Sequence, residues 1–150
     1  MKLQTTRFGE IEVPDETLIE MPGGMVGFPL ETRFAWLPHP SAEHIVWLQS
    51  VSSPAIAFPL FNAARVDGDY PDVPMADIAK LAGVEFDDVE TLALLVVLSA
   101  SPAAPATVNL MAPIVVNSTT RQGAQVVLTQ TRFTTATFDR KPAQAAAEAP

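Results

Sequence analysis

The chain has 150 residues, 14 of them proline and none cysteine, with 48% apolar residues, 17% charged residues and a formal net charge of −8. That length supports one domain with its own core. The missing cysteines exclude disulfides, Fe–S clusters, thiolate zinc sites and cysteine nucleophiles, and fit a reducing compartment. The acidic balance argues against a nucleic-acid binder, whose phosphate contacts need a basic face, and towards a basic or neutral partner.

In chain order, Leu3–Phe8 and Glu10–Val13 alternate in polarity around Gly9, and Thr17–Met21 follows Pro14. These read as short strands. Met21–Pro29 is a loop whose Gly23, Gly24 and Gly27 are free to take positive φ. Phe34–Leu37, Ile45–Val51 and Ala55–Phe61 are the next strands, with Pro59 confining the last to an edge or a bulge. Pro74–Ala82 sets Met75, Ile78, Leu81 and Ala82 at helical spacing with Gly83 as a stop, and Asp87–Glu90 offers a further turn. Thr91–Ser99 is nearly continuous in apolar residues, the pattern of a strand buried on both faces. Thr107–Met111 and Ile114–Asn117 form a strand pair broken by Pro113, and Gln125–Gln130 follows a hairpin loop, Ser118–Gly123, whose glycine suits a positive φ.

Many short strands with one helix read as an antiparallel sandwich or barrel, with no room for repeated βαβ crossovers. Residues 1–140 form a single β domain, and 141–150, rich in Ala and Pro, form a disordered tail. The longest apolar stretch, Leu92–Leu98, has seven residues, against roughly 20 for a bilayer span. The N-terminus has no apolar run of signal-peptide length. The expectation is a soluble cytoplasmic protein.

Catalytic chemistry finds little support. His39 and His44 lie five apart across a Pro-rich loop with Glu43 the only nearby carboxylate, which is a poor metal set. Ser50, Ser52 and Ser53 lack a G-x-S-x-G elbow. The glycine-rich loop lacks the spacing and lysine of a phosphate-binding loop. Carboxylate pairs such as Asp87/Asp88 or Glu10/Glu12 could do acid–base work only by converging on a pocket. No cofactor or metal is implied.

Charge is unevenly placed. Six acids and no base lie between Glu10 and Glu31, and eight acids against Lys80 alone between Asp67 and Glu90. Thr91–Phe138 has no acid and two bases, Arg121 and Arg132. Such blocks either solubilise the chain or form an acidic face that steers a basic protein partner. Asn109 and Asn117 flank the apolar stretch that holds Pro113. Asn117 caps the hairpin loop or meets a partner; Asn109 satisfies buried backbone groups or faces a ligand peptide.

Gln4–Val13, Trp47-Leu-Gln-Ser-Val51, Val108-Asn-Leu-Met-Ala-Pro-Ile-Val-Val-Asn117 and Arg121–Leu128 together resemble the flagellar assembly factor FliW family over about Lys2–Leu128. The chain differs at Ala100–Ala106, where the family usually carries charge, and at Phe133–Phe138, in place of a Tyr-Ser motif. The resemblance implies a mainly β, small antiparallel β-barrel-like domain with one short helix, and a non-enzyme that binds two proteins. One is flagellin, which it chaperones. The other is CsrA, an RNA-binding translational repressor of flagellin synthesis, which it antagonises without touching nucleic acid or membrane itself. Asp67, Asp69, Asp72, Glu10 and Glu12 are the residues expected to meet CsrA, and Asn109, Pro113 and Asn117 those expected to meet flagellin. The other classes left open are an acidic interaction scaffold unrelated to flagella and a carboxylate-dependent hydrolase.

Overall fold

A computed structural model describes residues 1–66, 70–101, 104–129 and 135–137. The strands are β1 (Lys2–Thr5), β2 (Gly9–Glu12), β3 (Leu18–Glu20), β4 (Arg33–Pro38), β5 (Ile45–Ser50), β6 (Ala57–Asn62), β7 (Leu92–Ser101), β8 (Ala104–Asn117), β9 (Gln122–Gln125) and β10 (Thr135–Thr137). The helix α1 (Met75–Ala82) stands between β6 and β7. Gly83 ends it in the left-handed conformation, φ +77°. There the Val84 N–H returns to the Ala79 carbonyl at 2.9 Å, satisfying a carbonyl that the helix end would orphan.

Strands β3 to β8 pair with their sequence neighbours, and β9 pairs with both β8 and β3. The sheet therefore closes into a seven-stranded barrel, which removes most of its edges. Closure on the β3 side is slender: a parallel bridge joins Glu20 and Gln122, and the Glu20 N–H reaches the Arg121 carbonyl. Every other strand pairing among the described residues is antiparallel. β10 adds to β8 outside the ring, and β1–β2 is a separate hairpin.

Strand alternation makes three apolar cores. Ile19, Phe34, Leu48, Leu60, Leu95 and Ile114, one from each of six barrel strands, pack together inside the barrel. The opposite faces of β6, β7 and β8 send out Phe61, Val96 and Val115, which α1 covers with Ile78 and Ala79. The outer side of β3 and β4, at Leu18 and Ala35, lies under Leu3 and Val13 of the hairpin segment. β7 is thus buried on both faces, as its sequence predicts.

Several expectations change. β8 runs unbroken through Pro113, because a bulge sets the four residues 110–113 opposite Val96 alone and absorbs the missing N–H. Pro59 sits inside β6, opposite Trp47 of β5, and register with β7 begins only at Leu60. At Pro59 the strand is paired on one side, as an edge would be. The turn after β8 takes its positive φ at Arg121 (+59°). Gly123 is needed for closeness instead: a Cβ there would lie 3.1 Å from Val116 Cγ2. β9 is Gln122–Gln125, earlier than the expected 125–130. Leu81, expected on the apolar face of α1, is 66% exposed. Among the described residues no helix is long and apolar enough to cross a membrane. The expected tail, 141–150, lies outside the described residues.

Candidate partner-binding surface

The two acidic blocks meet around one turn. Asn117 ends β8 with its side chain buried, and its Oδ1 accepts the Thr119 N–H at 2.9 Å and the Thr120 N–H at 3.3 Å. Its Nδ2 donates to the Glu85 carbonyl at 2.9 Å, tying the turn to the segment after α1. On that side Glu85, Asp87 and Asp88 line an open cleft of about 700 Å³ with Lys80 and Thr120. On the other side Thr120 and Arg121 border a second depression of mixed charge, with Asp15 4.0 Å from the Met1 ammonium and Glu20 beside Arg33. The Arg121 guanidinium donates to the Asp15 carbonyl at 2.9 Å. The turn at 118–121 therefore has carboxylates of the first block on one flank and of the second on the other.

Not every acid is available to a partner. Glu20 is ion-paired with Arg33 at 3.1 Å. Glu31 accepts hydrogen bonds from the hydroxyls of Ser50, Ser53 at 2.8 Å and Ser52 at 3.2 Å. The Ser50 and Ser53 bonds hold its carboxyl below the usual range, against some opposing desolvation and with help from Ser52. Asp88 caps the short turn that follows, accepting the Glu90 N–H at 2.9 Å. Asp15, Glu16, Glu85, Asp87 and Glu90 are exposed.

The residues singled out from sequence scatter. Glu10 and Glu12 are exposed on β2, where Gln4 bonds Glu10. Asp72 is exposed after the buried Tyr70, whose hydroxyl is pushed up by burial and then by the Asp72 charge. Asp67 and Asp69 lie outside the described residues. Asn109 is exposed and its Oδ1 accepts the Met111 N–H at 3.0 Å, so it braces the bulge of β8. Pro113 is fully buried and Asn117 is 3% exposed. Pro113 occupies the bulge, and Asn117 is the loop cap at the wall of the cleft.

Both histidines have local roles. His39 Nδ1 accepts the Ala42 N–H at 2.9 Å and His44 Nε2 accepts from Arg65 at 2.9 Å. Among the described residues no group of three or more potential ligands is gathered for a metal. Sequence reasoning missed Gln49 as an anchor. It is fully buried, and its amide donates to the carbonyls of Ser50, Pro54 and Ile56 at 3.1–3.2 Å, setting the loop after β5. A polar residue among the apolar ones of β5 is the signal that could have found it.

A seven-stranded barrel flanked by one helix and a hairpin, with carboxylates gathered at one turn, defines a small β-barrel protein with an acidic end. The FliW protein family model matches residues 2–138. The flagellar assembly factor FliW of Heliobacterium modesticaldum is 35% identical over 135 residues, 90% of this chain and 88% of that protein. That of Geobacter sulfurreducens is 38% identical over 135 residues, 90% of this chain and 84% of that protein. A crystal structure of the flagellar assembly factor FliW superposes with a TM-score of 0.71 at 30% identity, covering 91% of this chain and 96% of that one. The chain belongs to the FliW family of flagellar assembly factors.

Proposed function

We propose that this protein works in the cytoplasm as a flagellin chaperone and as an antagonist of the RNA-binding repressor CsrA, relieving repression of flagellin synthesis. The observation that carries the reading is the cluster of exposed carboxylates, Glu85, Asp87 and Asp88, that lines the cleft beside the turn at 118–121. A repressor that grips RNA must be basic where it does so, and an acidic end speeds encounter with it while repelling acidic competitors. Glu85 and Asp87 join Asp67, Asp69, Asp72, Glu10 and Glu12 as the residues assigned to CsrA. The exposed Asn109 is the residue assigned to flagellin.

Titration calorimetry with purified CsrA and flagellin tests this at two salt concentrations. The double variant Glu85→Lys, Asp87→Lys is expected to weaken CsrA binding roughly tenfold or more near 20 mM salt, and much less near 300 mM, where the Debye length is short. Flagellin binding should survive that variant and fall in Asn109→Ala. Unchanged CsrA affinity at low salt sinks the acidic-end assignment. Failure of the wild-type chain to bind either protein sinks the functional reading.

A further inference from the structure

The strand that closes the barrel continues past its ladder. Beyond β9 the chain stays extended along β8: the Val126 N–H donates to the Pro113 carbonyl at 3.0 Å and the Leu128 N–H to the Met111 carbonyl at 2.7 Å. This two-residue period packs Val126 and Leu128 into the core under α1 and leaves Val127 49% exposed. In an antiparallel ladder alternate residues present their amides to opposite sides, so the Val127 N–H and carbonyl point away from β8. On that side β3 reaches only Gln122. No described residue bonds to either group of Val127.

Natural sheets blunt such edges with Lys, Pro, a bulge or a covering element. The run Val126-Val127-Leu128-Thr129 contains neither Lys nor Pro. It borders a groove of about 540 Å³ whose other wall is Val73, Asp77, Lys80 and Leu81 of α1 and its approach. Leu81 and Val127 are thus exposed apolar side chains on the two walls of one groove, beside a strand edge that no described residue pairs with. Those are the parts of a strand-addition site, in which main-chain bonds give affinity and alternate side chains give selection.

Charge decides the occupant. Lys80 also lines the cleft of Glu85, Asp87 and Asp88, so the two depressions meet at one ammonium among four carboxylates, Asp77 included. A second copy of a chain with net charge −8 would set those carboxylates against themselves. We propose that residues 126–129 form a docking edge for an extended segment of a partner protein. That segment carries apolar side chains at alternate positions and a basic residue at one flank. It pairs with the Val127 amide, packs on Leu81 and sets its cation over the 85–88 cleft. Any partner that carries such a segment fits this edge.

Val127→Pro is the diagnostic variant: it removes an N–H that no described residue accepts, and trims the valine from the groove wall, while the ladder to β8 keeps its donors. The probe is a fluorescein-labelled heptapeptide, Lys-Val-Thr-Val-Thr-Val-Lys, with a Glu-ended counterpart, measured by anisotropy against the full chain. Saturable binding of the Lys-ended peptide is expected, weakened roughly tenfold or more in Val127→Pro, in Leu81→Asp and with Glu ends. The Val127 amide, followed by NMR hydrogen exchange, should exchange freely alone and gain protection at peptide saturation. Leu81→Asp, at an exposed position, decides the matter if Val127→Pro does not fold. Equal binding by the folded variants or by the Glu-ended peptide overturns the proposal, as does no binding up to about millimolar peptide. A concentration-dependent dimer in sedimentation that Val127→Pro dissociates also overturns it, since a second copy would then cover the edge.

Discussion

Glu31 shows how one side chain can bind a loop to the barrel through its charge. Its carboxylate gathers the hydroxyls of Ser50, Ser52 and Ser53, and the Ser50 Oγ in turn accepts the Ser53 N–H at 3.0 Å. Hydrogen bonds to the ionised form lower the folded-state pKa from its ordinary 4.5, Ser50 and Ser53 leading. A group depressed on folding stabilises the protein above its unfolded pKa and loses that contribution as pH falls through the folded value. Wild type is therefore expected to exceed Glu31→Gln in unfolding free energy at pH 7, with the gap closing as pH drops below about 4.5. Urea titrations across that range check it; a gap that stays constant into acid would mean the charge is irrelevant. The serines were visible in sequence only as failed nucleophiles, because their partner is 19 to 22 residues away. Asn117 was legible as a cap because the two N–H donors that its Oδ1 accepts, those of Thr119 and Thr120, are within three residues. Its tie to Glu85, 32 residues distant, was not.

At the scale of elements, the loop between β3 and β4 depends on Gly24. It holds φ +68°, and a Cβ there would sit 2.5 Å from the Phe28 carbonyl oxygen and 2.6 Å from that of Pro29. The same loop brings Phe28 edge-on to Phe58 at 5.3 Å, which meets Phe34 in turn at 6.1 Å, so the loop is stacked on the aromatic side of the barrel core. Gly27, at φ +85°, has open space around it. Gly24→Ala should cost about 3 kcal/mol or more, a left-handed alanine plus displaced backbone, whereas Gly27→Ala should cost only about 1 kcal/mol. Equal losses in denaturant unfolding would place the constraint in φ alone. Composition showed that these glycines shape a loop, but not which one has a neighbour against it. The same limit applies to Pro113. A proline within a strand pattern signals a break, yet a bulge opposite Val96 accommodates it, and that depends on the partner strand. Strand existence was readable from alternation; register and closure depend on pairings between distant residues such as Glu20 and Gln122.

For the whole molecule, the distribution of charge matters more than its sum. Fourteen of the 17 acids fall in two sequence blocks, and the fold gathers Glu85, Asp87 and Asp88 of the second in one cleft beside the turn at 118–121, with Lys80 on its wall. Concentrating like charge raises the free energy of the compact state relative to an expanded chain, in which the charges move apart. Salt should therefore stabilise this protein: the melting temperature is expected to rise between about 10 and 200 mM NaCl, as the Debye length falls from roughly 30 Å to below 10 Å. Glu85→Lys with Asp87→Lys should raise the melting temperature at low salt by a few degrees and flatten that salt dependence, consistent with relief of roughly 1 kcal/mol of repulsion. Both side chains are exposed and, among the described residues, neither caps a helix or forms an ion pair, so no packing is lost with them. The same variant is the one expected to bind CsrA less well, and the two outcomes together separate two meanings of an acidic patch. A patch that only keeps the chain soluble can be neutralised with a gain in stability and no loss of binding. One retained for a basic partner loses affinity as the protein becomes more stable. Calorimetric melting and binding titrations on one preparation of each protein distinguish them, and a variant that melts lower at low salt would show that these carboxylates do not repel one another in the folded chain.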